Sequence, residues 1–144
     1  MTHPFQIIAP DSGQLLTNGI LCKISSASTG NAYTIIELTL APKAGAPLHT
    51  HHREDEIFHI IAGVCEITCN GETHLAETGA VVVLPKNTPH AFRNPSEDMP
   101  NRILITAVPG GLDTYFEALA KISATDPDAI QKINAINAEY EIEF

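Results

Sequence analysis

The chain of 144 residues, 44% hydrophobic and 17% charged, has enough apolar side chains for one compact core. Its formal net charge is −9 and its 8 Lys and Arg residues do not cluster, which argues against nucleic-acid and anionic-membrane partners, both of which need a positive footprint. No stretch approaches the roughly 18 apolar residues of a membrane span, and the opening MTHPFQIIAPDSG lacks the basic start and apolar run of a signal peptide.

In chain order, ILCKISS (20–26) and AYTIIELTL (32–40) are rich in β-branched residues and read as strands. The second places Ile36, Leu38 and Leu40 on one face and Tyr33, Ile35, Glu37 and Thr39 on the other. APKAGAP follows as a loop. EIFHIIAG reads as a strand ended by Gly63, and VCEITCNGETHLAE as a hairpin turning at Asn70-Gly71. AVVVLP, HAFRN and RILITAV supply further strands. After Pro109-Gly110-Gly111 the period changes. Leu112, Tyr115, Phe116, Leu119 and Ile122 fall at helical spacing, and a second helix is expected with Asp126 as its N-cap and Pro127 at its first position. The pattern predicts an all-β sandwich or small barrel over about 15–109, with a helical tail over about 112–140.

Three cysteines, Cys22, Cys65 and Cys69, lack CxxC spacing. They read as free thiols of a reducing compartment, so a cytoplasmic location is expected. Cys65 and Cys69 share a strand face.

The stretch PLHTHHREDEIFHIIAG holds His49, His51, His52 and His59 among Glu54, Asp55 and Glu56. It is either a charged surface turn or a metal site. His49 and His51, two apart in an extended strand, present both imidazoles on one face, about 6.5–7 Å apart. His52 then points away. Glu56 heads the next strand and offers a carboxylate oxygen. The best further donor is His90, which begins a strand after a proline turn. His59 is an odd number of residues from Glu56 and should face the other side. His74 follows the hairpin turn, and His3 sits on the terminus. His52, Arg53, Glu54 and Asp55 read as a solvated turn.

Residues 49–63 carry His-x-His, four residues, Glu56, six residues and Gly63. Residues 79–94 carry Gly79, five residues, Pro85-x-Asn87, two residues, His90, three residues and Asn94. These resemble the two motifs of the cupin superfamily. The tail from VPGGLDTYFEALA onward resembles small single-domain cupins, of the conserved-barrel type, related to quercetin (flavonol) dioxygenases. The resemblance implies a double-stranded β-helix, a jelly-roll barrel, with C-terminal helices, and residues 1–144 as one cupin domain. It implies one divalent ion, Fe, Mn, Ni, Cu or Zn, on His49, His51, Glu56 and His90. An octahedral ion on four protein donors keeps two positions open for water, substrate or O2. The chain departs from the family pattern twice. Lys43 and Asn87 stand where the family usually has glycine, and Asn tolerates a left-handed backbone best among other residues.

Strand parity beside the donors places Phe58 and Ile60 on the face of Glu56, and Phe92 and Asn94 on that of His90. These four either line a substrate pocket or fill the core. The expected function is a metal-dependent dioxygenase acting on a small phenolic or enolic compound, with Glu56 doubling as a catalytic base. The alternatives are a non-redox metal-dependent isomerase or hydrolase and a small-molecule-binding or sensory module without turnover. EIFHIIAG is apolar on both faces, with Phe58 and Ile60 on one and Ile57 and Ile61 on the other. Such a strand needs cover on both sides, and the resemblance also favours a homodimer.

Overall fold

The computed structural model describes residues 3–17 and 19–144. In chain order the strands are β1 (Gln14–Thr17), β2 (Ile20–Ile24), β3 (Thr34–Leu40), β4 (Gly45–His51), β5 (Asp55–Ala62), β6 (Val64–Cys69), β7 (Glu72–Glu77), β8 (Val81–Leu84), β9 (His90–Arg93) and β10 (Asn101–Val108). Helices α1 (Leu112–Ala120) and α2 (Ala129–Glu139) follow, and a two-residue strand β11 (Ile142–Glu143) comes after them. The strands form two antiparallel sheets, ordered β1-β2-β3-β10-β5-β8 and β11-β4-β9-β6-β7. This is a mostly β, jelly-roll-type barrel carrying two helices. Among the described residues no helix is long and apolar enough to cross a membrane.

Alternation builds the core. Ile103, Ile105 and Ala107 of β10 point inward, facing Phe58 and Ile60 of β5 across the ladder and Ile36 of β3 on the other side. Phe58, Ile60, Ile103 and Ala107 are wholly buried. Hydrophobic burial of these inward rows is the main force closing the two sheets on each other.

The turns carry their own chemistry. Asn70 and Gly71 both have positive φ, 54° and 78°, as a two-residue hairpin between β6 and β7 requires. Asn87 does sit in the left-handed region, at φ 66°, and so does Lys43, at φ 65°. Gly45 serves a different need. A Cβ there would lie 2.1 Å from the Phe92 carbonyl oxygen, so only glycine lets β4 press against β9. The loop expected over APKAGAP therefore ends earlier than its composition suggests, because β4 begins at Gly45 and runs straight into His49 and His51.

Two features of the tail differ from expectation. Helix α2 starts at Ala129 with Asp128 at its N-cap. Asp126 instead makes a turn ahead of the helix, its Oδ1 accepting from the Asp128 N–H at 2.9 Å and its carbonyl from the Ala129 N–H at 3.0 Å. Pro127 thus lies outside the helix. Strand β11 was not legible at all, and pairs with β4 through Ile142↔His51 and Glu143↔Thr50.

Helix α1 is pinned to the barrel by Asp113. This buried carboxylate accepts from the Ser26 N–H at 3.0 Å, the Ser26 hydroxyl at 3.2 Å and the Thr34 hydroxyl at 3.1 Å. The anchor sets Leu112, Tyr115, Phe116 and Leu119 over the barrel interior, where they wall the cavity described below.

Candidate metal centre

Strand β4 brings His49 and His51 inward, β5 contributes Glu56 and β9 contributes His90. The β4–β9 ladder sets His49 directly opposite His90. All four side chains are buried, and one ligand atom from each falls within 4.8 Å of all the others. This is the set read from the two sequence motifs, and the barrel brings all four together.

The hydrogen bonds around them fix the imidazole tautomers. His49 Nδ1–H donates to the Pro47 carbonyl at 2.7 Å, and His90 Nδ1–H to the Thr88 carbonyl at 2.9 Å. His51 Nδ1–H donates to Glu54 Oε1 at 2.8 Å. In its neutral form each ring thereby keeps its proton on Nδ1 and leaves Nε2 with a free lone pair, the arrangement of metal-ligating histidines. Inside the cluster, Glu56 Oε2 lies 3.1 Å from His90 Nε2 and 3.5 Å from His51 Nε2. Yet Glu56 Oε2 and His90 Nε2 have no aligned hydrogen-bond partner although both are buried. Buried polar atoms are rarely left so. Acceptor lone pairs converging on one point fit a cation there.

The charge states of His49 and Glu56 agree with that fit, whereas His51 has to give up a proton to bind through Nε2. Burial pushes His49 down to about 4, so it is neutral near pH 7. Burial would raise Glu56, but the adjacent His90 together with His51 and His49 holds it below the ordinary carboxylate value, and it is ionised. For His51, burial acts downward, but the Glu54 hydrogen bond and the charges of Glu56 and Glu54 together raise its pKa. The donor set of three imidazoles and one carboxylate suits borderline divalent metals.

A cavity of about 250 Å³ opens onto the cluster. His49, His51 and Glu56 stand at its base, with Ile36, Ile105 and Phe92 around it, α1 above, and Ile142 and Phe144 beside it. Of the residues expected to line a pocket, Phe92 does so. Phe58 and Ile60 are core instead, because β5 turns them into the packed interior at 0% exposure. Asn94 braces a loop. Its Nδ2 donates to the Leu40 and Met99 carbonyls at 3.1 and 2.7 Å, and its Oδ1 accepts from the Ser96 N–H.

Other expectations meet mixed outcomes. His59 is exposed and faces away from the cluster, as its parity requires, and His74 is exposed on the hairpin. His52 also points away, bridging Asn87 Oδ1 and Glu143 Oε2 at 2.8 Å each. Glu54 is not a solvated residue: it is buried and holds His51. Its placement three residues after His51 in a tight turn was the available signal. Ile142 and Phe144 had no local signal, since they meet the site only by long-range pairing.

The family model for the cupin domain (Cupin_2) matches residues 36–107, half of the chain. Among curated proteins, the chain is 33% identical over 66 residues to quercetin 2,3-dioxygenase of Bacillus subtilis, spanning 46% of this chain and 20% of that protein. It is 28% identical over 75 residues to the mannose-1-phosphate guanylyltransferase ManC of Salmonella typhimurium, spanning 52% of this chain and 16% of that one. The chain thus matches only a small part of the length of either relative. Among solved structures, KdgF from Halomonas sp. superposes with a TM-score of 0.62 at 21% identity, covering 78% of this chain and 99% of that one. Domain match, sheet order and motif placement agree, and the chain belongs to the cupin family.

Proposed function

We propose that this cupin holds one divalent ion on His49, His51, Glu56 and His90 and uses it to oxidise a small enolic or phenolic compound with O2. The observation that carries the reading is the convergence of three Nε2 lone pairs and one ionised carboxylate on a buried point beside an apolar cavity. A bound iron or manganese ion would supply a Lewis acid and a redox centre there. The residues of the chain supply the rest. Glu54, Pro47 and Thr88 orient the imidazoles. Among the described residues Glu56 is the one carboxylate lining the cavity, placed to accept a proton from an acidic O–H or C–H of the ligand. The apolar walls exclude water and hold the ligand against the donors. The likeness to part of a quercetin dioxygenase is in keeping with an oxygenase.

A second reading is a ligand-binding module without turnover. It is favoured by one observation: among the described residues no acid–base pair lines the cavity apart from the proposed ligands. Metal-reconstituted protein tested for O2 uptake with catechols, 1,3-diketones and flavonols separates the two. Uptake with any of these classes supports the oxygenase. A melting-temperature shift with one of them and no O2 uptake supports the binding module.

A further inference from the structure

The cavity over the metal centre is small and carries few polar groups. Its volume, about 250 Å³, lies under the roughly 300–1,000 Å³ of pockets that take drug-sized ligands. Among the described residues no Lys or Arg lines it. Apart from His49, His51 and Glu56, its lining offers a single polar side-chain group among the described residues, the Tyr115 hydroxyl, and that is engaged, donating to Asn137 Oδ1 at 2.7 Å. A second charge on a ligand would therefore be buried with no partner, and the hydroxyls of a sugar would lose water without replacement.

Phe144 forms one wall of this cavity. Its ring stacks on His49, with centroids 5.3 Å apart and planes 21° from parallel. The ring is 63% exposed, and it also lines a larger open groove of about 540 Å³ between α1 and α2, to which Tyr115 and Leu119 are likewise common. That groove is mostly apolar, with Ile122 and Ile133 on its walls. Phe144 is carried by β11, whose ladder to β4 is only two residues long. Helix α2 behind it buries none of its residues. The ring thus stands between a small cavity on the metal centre and a larger space behind it, on a lightly held element.

We propose that Phe144 sets the size limit of the ligand, restricting the cavity to a body of one ring, or a chain of equal bulk, that is uncharged except for the oxygens directed at the metal. This rests on the metal reading above and sharpens it. The wild-type site selects single-ring catechols or short diketones over three-ring flavonols, and rejects dicarboxylates and uronic acids. Without the ring of Phe144 the cavity opens into the groove, and a flavonol has room for its outer rings between α1 and α2.

The test uses the full chain loaded with zinc, which is redox-silent, so that binding is read without turnover. Zinc content is measured first. Titration calorimetry then compares catechol, acetylacetone, quercetin, malonate and galacturonate on the wild type, Phe144→Leu and Phe144→Ala, with zinc content and melting temperature recorded for each variant. The expected result is that catechol or acetylacetone binds wild type at least tenfold more tightly than quercetin. That ratio should fall at least tenfold in Phe144→Ala, with Phe144→Leu between. Malonate and galacturonate should bind weakest throughout. Quercetin binding to zinc-loaded wild type as tightly as catechol would overturn the size limit alone, as would an unchanged ratio in both variants. Malonate or galacturonate binding above catechol would overturn the uncharged body. Failure of the wild type to take up zinc would overturn the metal reading and, with it, the oxygen-anchored ligand.

Discussion

Glu54 accepts the Nδ1 proton of His51 at 2.8 Å, and both side chains are buried. The carboxylate fixes the ring's orientation and raises the basicity of Nε2, which faces Glu56 and His90. Removing such an outer partner typically costs about 10–100-fold in metal affinity. Glu54→Ala should therefore weaken zinc binding by that factor in a chelator competition. Glu54→Gln, which keeps an acceptor oxygen, should lose less. Equal affinity in wild type and Glu54→Ala would show that His51 is not a ligand or does not need this partner.

How much of this was readable beforehand follows from the range of each signal. The strands of the barrel are short alternating runs bounded by turn residues, and Asn70-Gly71 marks its hairpin by itself, so local pattern sufficed. The donors His49, His51, Glu56 and His90 could be named because two spaced motifs carry them. Glu54 was misjudged because a carboxylate in a charged stretch looks solvated until the turn folds it under His51. Phe58 and Ile60 share the inward face of Glu56, but parity does not say whether an inward residue meets a cavity or another side chain. Ile142 and Phe144 reach the site through pairing with residues about ninety positions away, which no local periodicity reports.

Lys43 occupies a left-handed backbone conformation, φ 65°, that costs a residue with a Cβ about 1–2 kcal/mol. Its side chain pairs with the largely exposed Glu97 and donates to the Pro95 carbonyl at 2.9 Å. Lys43→Ala removes those contacts and keeps the strain, whereas Lys43→Gly removes both. In denaturant unfolding, Lys43→Gly should be more stable than Lys43→Ala by about 1 kcal/mol once the extra freedom of glycine in the unfolded chain is included. Equal stability of the two variants would contradict the strain.

All three cysteines are free, but they differ in surroundings. Burial pushes Cys22 and Cys65 up to about 11, whereas Cys69 is partly exposed. The thiolate is the reactive form, so at pH 8 only about one in a thousand of the two buried thiols is reactive. Iodoacetamide at pH 8 should label Cys69 first, with Cys22 and Cys65 following only on unfolding. Peptide mapping that finds Cys65 labelled as fast as Cys69 would oppose this.

The outer face of the six-stranded sheet supports the proposal of a homodimer. Val81 and Val83 of β8 are 62% and 61% exposed, with Val83 opposite the half-buried Ile57 of β5 and Val81 opposite the exposed His59. A second copy covering this face would bury more than roughly 1,200 Å² in total. Light scattering at micromolar concentration should give twice the 15.5 kDa chain mass, and a Val81→Lys, Val83→Lys double variant should shift it to monomer. A wild-type monomer would reject the proposal.

The central claim is that the buried cluster is a metal centre. The most direct measurement is the metal content, by mass spectrometry, of protein as purified and after reconstitution, compared across wild type, His51→Ala, His90→Ala and His59→Ala. One divalent ion per chain is predicted for wild type and His59→Ala, whose imidazole is exposed and away from the cluster, with a sharp loss in His51→Ala and His90→Ala. Full occupancy in His90→Ala, or none in reconstituted wild type, would contradict it.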